Sequence, residues 1–256
     1  MNLVKPLIIS GLVSAMVLGV GTPNAGQSTI AYAAEKIEQK QVQKTGLVLN
    51  QEELKNVETE LQKYNVDEKT INKLVKKLEK QVPLDSMILD DSDAVSVTKI
   101  ENATGYEAVH TFADGSISVV GVEELEKIAD GGFTTMGTGI SGGSCSGGTG
   151  YLNCSNKKVY YSNPGVWEIS FRANYTYVYG GYDKITWANN ESIWMVGGTN
   201  GDPSMRIIRG TETAFKKAEA RFSTYLYLGG AYGTQTRSVS LILGGDSASA
   251  RGNTYY

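Results

Sequence analysis

The chain has 256 residues, of which 41% are hydrophobic and 20% are charged, so it has the composition of a folding protein rather than a disordered or collagen-like one. Its single histidine and two cysteines exclude zinc clusters built from these residue types. A net charge of −3 accompanies 30 glycines and 15 tyrosines, a composition that favours a β-rich protein outside the cell.

Residues 1–33 have the pattern of a signal peptide. Lys5 precedes an apolar run over residues 7–20, and the small residues Ala31 and Ala33 follow. The apolar run is shorter than the roughly 20 residues that a membrane-spanning helix needs. We therefore expect cleavage after Ala33, a secreted mature chain and no stable membrane anchor.

A shift in composition divides the rest of the sequence. Residues 34–130 hold 20 acidic and 12 basic side chains, whereas residues 145–256 hold 7 acidic and 11 basic ones. Between them, residues 131–144 are rich in glycine, serine and threonine, which is typical of a flexible linker. The sequence thus predicts an acidic module, a linker over 131–144 and a second domain.

Two short helices are predicted near the start of the acidic module. Asn50 and Glu53 are spaced as a helix cap and its supporting carboxylate, so a first helix is expected over 51–63. Asp67 is suited to cap a second helix, which ends before Pro83. Apolar residues recur at helical spacing, at Leu54, Val57 and Leu61 and at Ile71, Leu74, Val75 and Leu78. These features together predict a helical hairpin.

The second predicted helix carries a run of lysines on its remaining faces, namely Lys73, Lys76, Lys77 and Lys80. Such a run either contacts an anionic polymer at a cell surface or forms an ordinary solvated face. The sequence favours the solvated face, because the first helix supplies acidic residues close enough in sequence to neutralise it, namely Glu52, Glu53, Glu58 and Glu60.

The acidic module is predicted to end in a small β-meander. Its strands are expected over 95–101, 106–112 and 116–122, with Asp114-Gly115 as the turn between the last two. A meander this thin must pack on the helical hairpin or on the next domain.

Before the meander, Asp90, Asp91 and Asp93 offer oxygen ligands for calcium. The glycine and the closing glutamate of a calcium-binding loop are missing, so a solvated turn is favoured.

Short motifs in this region carry a resemblance. They lie at residues 49–53, 63–67, 73–75, 85–87 and 112–116, and they include Asp85-Ser86-Met87 and Asp114-Gly115-Ser116. In this order they resemble a module of exported proteins of Gram-positive bacteria, over roughly residues 46–122, with a weaker similarity at 205–209 and 218–221. The resemblance implies export and a modular build, and it assigns no catalytic residue.

The two cysteines enclose a short glycine-rich segment. In an exported protein, Cys145 and Cys154 are expected to form a disulfide, which contributes on the order of 2–3 kcal/mol to stability. The alternative is a reactive thiol at Cys145, which needs a base, and the only imidazole is that of His110 in a predicted strand. We favour the disulfide and interpret His110 as a packed or half-exposed side chain.

One short pattern invites a hydrolase interpretation. Residues 139–143 match the Gly-x-Ser-x-Gly sequence around a nucleophilic serine, here Ser141. The match lies inside the predicted linker, and His110 precedes the serine instead of following it. We attribute the match to chance.

Residues 145–256 alternate between apolar and polar side chains. The clearest strand covers 166–178, where one face holds Trp167, Ile169, Phe171, Ala173, Tyr175 and Tyr177. Further strands are predicted over 157–162, 184–188, 192–196, 204–209, 218–228 and 239–243. Turn residues separate them, among them Asn189-Asn190 and Gly201-Asp202-Pro203. The expected fold is mainly β, an antiparallel β-sandwich or jelly roll preceded by a small α+β module.

Aromatic side chains suggest how this domain binds a ligand. Trp187 and Trp194 flank the predicted turn at 188–191, and together with Tyr182 they are candidates for an exposed platform that stacks on sugar rings. Trp167 lies in the apolar stripe and is assigned to the core. The alternative, that all of these rings belong to the scaffold, is favoured.

These observations support a secreted, non-enzymatic protein that binds a cell-surface or extracellular partner, either a cell-wall glycan or an anionic wall polymer. We expect no cofactor and no metal ion. Nucleic acid is also not expected as a partner, since the second domain lacks a basic helix or a recognised nucleic-acid-binding motif. Two alternatives stay open: a bacteriocin-like or membrane-active effector, and a glycan hydrolase using a pair among Glu168, Asp183, Glu191 and Asp202.

Overall fold

In the described part of the chain, three short α-helices precede all of the strands. The computed structural model describes residues 47–101, 105–122 and 143–253, which lie in one structural unit, Gln43–Tyr256. The predicted signal peptide with its cleavage site, Ser141 and nearly all of the predicted linker lie outside these residues. The helices are α1 (Gln51–Lys63), α2 (Glu68–Glu79) and α3 (Asp85–Ile88).

The predicted helix caps are confirmed. The Asn50 side chain accepts hydrogen bonds from the backbone of Glu52 and Glu53, and the Glu53 carboxylate accepts one from the backbone of Asn50. Asp67 caps α2 through the backbone N–H of Thr70. The apolar stripes of both helices are buried, as their spacing predicts. The single turn of α3 was not predicted, because four residues are too few for a periodic pattern.

The strands form two antiparallel sheets, so the predicted fold class is confirmed. The seven-stranded sheet has the order β1-β2-β3-β5-β6-β7, with β4 paired to β5. Its strands are β1 (Ser96–Glu101), β2 (Tyr106–Thr111), β3 (Ile117–Val122), β4 (Ser144–Gly148), β5 (Tyr151–Asn163), β6 (Trp167–Val178) and β7 (Lys184–Met195). The four-stranded sheet has the order β11-β10-β9-β8, from β8 (Thr199–Arg209), β9 (Ala218–Gly229), β10 (Gly233–Leu243) and β11 (Ala248–Gly252).

The seven-stranded sheet continues across the boundary predicted between the two domains. β3 of the acidic module pairs directly with β5, from Val119 opposite Ser162 to Val122 opposite Val159. The buried apolar residues of the helices and of both sheets form one core. The meander is therefore stabilised because its strand β3 pairs with β5, which makes it part of the seven-stranded sheet.

Two predicted turns are bulges inside longer strands. Asn189-Asn190 lies within β7, where the register with β6 shifts and Asn190 has φ of 57°. Gly201-Asp202-Pro203 lies within β8, where the register with β9 shifts and Asp202 has φ of 49°. Several turn types and some bulges place a residue in left-handed backbone, so the same residue types suit either. The prediction of separate strands over 184–188 and 192–196 was therefore wrong, and the strand predicted over 204–209 begins earlier, at Thr199.

The two sheets pack face to face around an aromatic core. The inner face of β6 buries Trp167, Ile169, Phe171, Ala173, Tyr175 and Tyr177, and that of β9 buries Ala218, Ala220, Phe222, Thr224, Leu226 and Leu228. The rings of Tyr161 and Trp167 meet edge to face with centroids 5.0 Å apart. Trp167 thus belongs to the core, as its place in the apolar stripe predicts.

The sandwich has two distinct ends. At one of them, which we call the helical end, Val57 of α1 lies against Gly165 in the β5–β6 turn, and Thr70 of α2 lies against Gly115 in the β2–β3 turn. At the other, the loop end, the connections 149–150, 179–183, 210–217 and 244–247 come together. Hydrogen bonds link these loops, for example from Tyr179 N to Gly150 O.

Candidate functional site

The predicted disulfide is present. Cys145 of β4 and Cys154 of β5 are directly opposite each other, with an S–S distance of 2.04 Å and Cα atoms 4.0 Å apart. Both cysteines of the chain are therefore oxidised, and the alternative of a reactive thiol at Cys145 is wrong. A disulfide fits a protein that works in an oxidising compartment.

His110 belongs to a partly buried polar cluster. Its Nδ1 lies 3.8 Å from Asp91 Oδ2, and Asp91 Oδ1 accepts hydrogen bonds from Ser118 Oγ at 2.7 Å and Tyr161 OH at 2.9 Å. Burial and the Asp91 charge raise the pKa of Tyr161 well above its usual value. Ser118 donates to a carboxylate and not to the imidazole, so the geometry of a serine nucleophile with a histidine base is not formed here.

The acidic run before the meander is structural. Asp91–Asp93 form one turn of 3-10 helix, in which Asp90 N donates to Asp93 Oδ2 at 3.2 Å. Within the described residues, no group of three or more His, Cys, Asp or Glu side chains could hold a metal ion. Asp91 instead joins this turn to β3 and β5 through Ser118 and Tyr161.

Two of the carboxylates considered for glycoside hydrolysis, Glu168 and Asp183, lie far apart. Glu168 is near the start of β6, whereas Asp183 binds the backbone N–H of Val178 at the end of that strand, with its Oδ1 2.8 Å away. A separation of ten strand positions corresponds to roughly 30 Å, and paired glycosidase carboxylates require about 5–10 Å. Glu191 and Asp202 are both exposed and lie near the bulges of different strands.

Trp187 and Trp194 lie on one strand and on one face of it. Trp187 is opposite Asn174 and Trp194 is opposite Glu168, so both point away from the core on the outer face of edge strand β7. Six positions of β6 separate their partners, which corresponds to roughly 20 Å. The two rings therefore share a surface without touching. They do not flank a turn, contrary to the prediction.

Trp194 is the more exposed of the two and has a polar setting. Its side chain is 46% exposed. Beside it, the Glu168 carboxylate is 2.8 Å from Lys158 Nζ, and Lys158 also lies over the ring of Tyr160. The Tyr160 hydroxyl donates to Glu107 at 2.6 Å. An apolar ring beside charged hydrogen-bonding groups is the combination found in sugar-binding sites.

Tyr182 lies in the β6–β7 loop at the loop end and is 52% exposed. Tyr179 is exposed in the same loop, whereas Tyr175 and Tyr177 are buried in the core. Tyr182 is thus at the end of β7 nearer Trp187 and far from Trp194. The structure does not gather the three predicted residues into one compact site.

A second aromatic pair was missed from sequence. Tyr225 and Tyr227 lie on the outer face of β9 with ring centroids 6.4 Å apart, and both are partly exposed. Gly201 on β8 leaves the space that the Tyr227 ring occupies, since a Cβ there would come within 3.0 Å of that ring. The alternation that places Thr224 and Leu226 inside already implies that these tyrosines face outward.

Asp183 joins three loops at the loop end. Its Oδ1 accepts from Val178 N, its Oδ2 accepts from Asp246 N at 2.9 Å, and its backbone bonds with Glu212. Burial raises the pKa of Asp183, although the two backbone donors oppose this shift. Asp183 thus links the β6–β7 and β10–β11 loops through its side chain and the β8–β9 loop through its backbone.

Phe215 projects from the loop end. The side chain is 96% exposed, and it lies in the β8–β9 loop next to the exposed Lys216 and Lys217. Thr213 Oγ1 accepts from Lys216 N at 3.0 Å, and Thr213 N donates to Lys216 O at 2.8 Å. The loop tip therefore has a defined conformation that presents the ring to solvent.

No protein-family model matches the chain, and no curated protein matches it. Among solved structures, the chain is similar to the crystal structure of a hypothetical protein, lmo2686, from Listeria monocytogenes EGD-e, with 16% sequence identity and a TM-score of 0.31. The match covers 60% of this chain and 99% of that one. A TM-score this low does not establish a shared fold, so the fold class is assigned from the two antiparallel sheets alone. In the described part of the chain, no helix has the length and apolar character needed to cross a membrane.

Proposed function

We propose that this is a secreted, non-enzymatic protein of a Gram-positive bacterium that binds a glycan-bearing partner outside the cell through the outer face of β7. The observation that carries the proposal is the exposure of Trp194 beside the Lys158–Glu168 ion pair. A tryptophan that faces solvent from a sheet can stack on a sugar ring while neighbouring charged groups bond its hydroxyls. The signal-peptide pattern and the disulfide both support an extracellular location.

Spacing along β7 indicates a polymeric ligand. Trp187 and Trp194 are roughly 20 Å apart on one face of the strand, farther than a single sugar reaches. A chain of sugars lying along β7 contacts both rings in succession. The partner that suits this surface is therefore a cell-wall glycan and not a free monosaccharide.

The test is retention of the mature chain on purified, insoluble peptidoglycan. Trp194→Ala is expected to weaken binding roughly tenfold, because loss of a stacked ring costs about 1–2 kcal/mol. Trp194→Phe keeps a ring and should retain most of the affinity. Ile208→Ala, which removes another exposed apolar side chain from the other sheet, serves as the matched control. Unchanged retention in a Trp187→Ala/Trp194→Ala double variant would count against the proposal.

A second candidate function follows from Phe215. An almost fully exposed ring beside two lysines suits contact with an anionic lipid surface, where the ring enters the interface and the lysines meet headgroups. The exposed Tyr179 and Tyr182 at the same end extend this surface. This arrangement is the one that a membrane-active effector needs.

Vesicles of phosphatidylglycerol test the second candidate. Phe215→Ala should abolish cosedimentation of the protein with the vesicles and any leakage of an entrapped dye. Tyr227→Ala, at the other end of the sandwich, should leave both unchanged. Equal vesicle binding by wild type and Phe215→Ala would reject the membrane function.

A further inference from the structure

The outward face of α2 is a lysine stripe. Lys69, Lys73, Lys76 and Lys80 follow one another at steps of four, three and four residues, and all four are exposed. This spacing places them on one side of the helix over about 16 Å. The opposite side is fixed in the core by the buried apolar residues of the helix. The stripe is therefore held in place by the fold.

A surface groove of about 700 Å³ runs along this stripe. Five lysines line it, from Lys69 to Lys80, together with Asn72 and Val82, and Glu68 is its one acidic residue. The lining thus has an excess of positive charge. Such a groove attracts an anionic ligand and concentrates it near the surface.

The lysines of the groove differ in their contacts. Lys77 Nζ is 2.6 Å from Asp114 Oδ2 and 3.3 Å from Asp85 Oδ1, and Lys73 Nζ donates to the Asp114 carbonyl oxygen. Among the described residues, Lys69, Lys76 and Lys80 take part in no ion pair within 4.0 Å. These three are the ones available to a ligand.

The acidic residues of α1 do not neutralise the stripe by direct contact. Glu60 binds Lys63 of its own helix at 2.6 Å, and Glu53 caps α1 through Asn50. No ion pair between α1 and α2 is formed within the described residues. Lysines four residues apart repel each other, so the stripe opposes folding unless a counter-charge covers it.

We propose that this groove binds an extracellular polymer with phosphate groups along its backbone. A lysine ammonium binds phosphate as a compact point charge. A row of lysines is therefore better suited to a polymer with repeated phosphates than to a single isolated anion. All residues that line the groove belong to the described part of the chain, and none of them is an aromatic residue on which a nucleic-acid base would stack. The proposal does not depend on glycan binding at β7, because every lining residue lies on α2 or directly after it.

The experiment is a titration of the mature chain with long-chain inorganic polyphosphate at two salt concentrations. Lys69→Gln/Lys76→Gln/Lys80→Gln should lose roughly tenfold or more in affinity and show a smaller salt dependence, because fewer counterions are released. These substitutions leave the Lys73 and Lys77 contacts with Asp114 intact. Thermal unfolding of each variant checks that the fold is retained.

Lys55→Gln/Lys99→Gln/Lys184→Gln provides the matched control. It removes the same charge from three exposed lysines outside the groove. An equal loss of affinity in both triple variants, or in neither, would overturn the proposal. Tighter binding to single-stranded DNA or to phosphatidylglycerol vesicles than to polyphosphate would also overturn it. Peptidoglycan retention should be the same in the groove variant and the wild type, which separates this site from the one on β7.

Discussion

Asp85 and Asp114 each accept a hydrogen bond from the backbone N–H of the other, with Asp85 N 3.0 Å from Asp114 Oδ2 and Asp114 N 3.1 Å from Asp85 Oδ2. Next to them, Ser86 N donates to Ser116 Oγ at 3.0 Å. Two of the motifs that carry the resemblance, at 85–87 and 112–116, therefore meet in space. They join α3 to the β2–β3 turn, so their role is structural.

Loss of this joint should destabilise the fold. Asp114→Ala removes the nearer of the two carboxylates that Lys77 contacts and leaves two backbone donors without their acceptor, and we expect a loss of about 3 kcal/mol in the free energy of unfolding. Asp85→Ala should cost less, and the double variant should lose less than the sum of both. Urea unfolding of the oxidised chain measures these values. Glu191→Ala, at an exposed site, should stay within about 0.5 kcal/mol of wild type. Additive losses would mean that the two aspartates act independently.

Acid should weaken the same joint. Burial alone would raise the pKa of Asp114, but hydrogen bonds from Lys77 and Ser116 outweigh it and hold that pKa below the ordinary value of 3.8. A carboxyl of this kind contributes stability that is complete above its unfolded pKa and is lost as the pH falls through its folded pKa.

Wild type should therefore lose stability more steeply than Asp114→Asn between pH 5 and about pH 2. Asp183 acts in the opposite sense, since its raised pKa contributes stability at low pH that is lost as the pH rises through the folded value. That effect is shared by both proteins and cancels in their difference. Urea midpoints at each pH measure the difference, and parallel curves would contradict the assignment.

Two glycines separate backbone strain from helix packing. Gly165 and Gly180 both have φ of 75°, but a Cβ on Gly165 would lie 2.5 Å from the Val57 Cα, whereas one on Gly180 would meet nothing within 4 Å. Gly180→Ala should cost about 1 kcal/mol from backbone strain alone. Gly165→Ala should cost about 3 kcal/mol, because it also pushes α1 away from the β5–β6 turn. Thermal unfolding compares the stabilities of the two variants. Equal losses of stability would show that α1 can move away from the β5–β6 turn without an energetic penalty.

Removal of the disulfide should act mainly on the β4–β5 hairpin. Cys145→Ser/Cys154→Ser is expected to lower stability by about 2–3 kcal/mol, because the open chain gains conformational freedom when unfolded. β4 has β5 as its one partner strand in the described sheet, so its amides should lose protection from hydrogen exchange. The amides of β9 and β10 in the other sheet serve as the internal control. Retained protection of β4 would mean that strand pairing alone holds it.

Local chemistry made much of the fold predictable. The Asn50–Glu53 box and the Asp67 cap act within three residues, and the helices begin where they stand. The alternation from Trp167 to Tyr177 identifies a strand and its buried face without reference to any partner. The site was less predictable, because exposure depends on what packs above a residue. Trp187 and Trp194 were considered as candidates for an exposed platform, whereas Tyr225 and Tyr227 were not.

Pairing between distant segments required the tertiary structure. Asn189-Asn190 suits both a turn and a bulge, and only the continued pairing of β7 with β6 decides for the bulge. The lysines of α2 have the same sequence whether or not α1 neutralises them, and only the positions of Glu53 and Glu60 show that these two bind elsewhere.

The sequence by itself determined the caps, the helical and strand periods, the buried stripes and the pairing of the two cysteines, because each depends on groups a few residues apart or on the small number of partners. The tertiary structure decided that β3 joins β5 across the predicted boundary, that Asp85 meets Asp114, and that the α2 lysines stay uncovered by α1. Those relationships depend on which surfaces meet when the core closes, and many chain segments compete for each such contact.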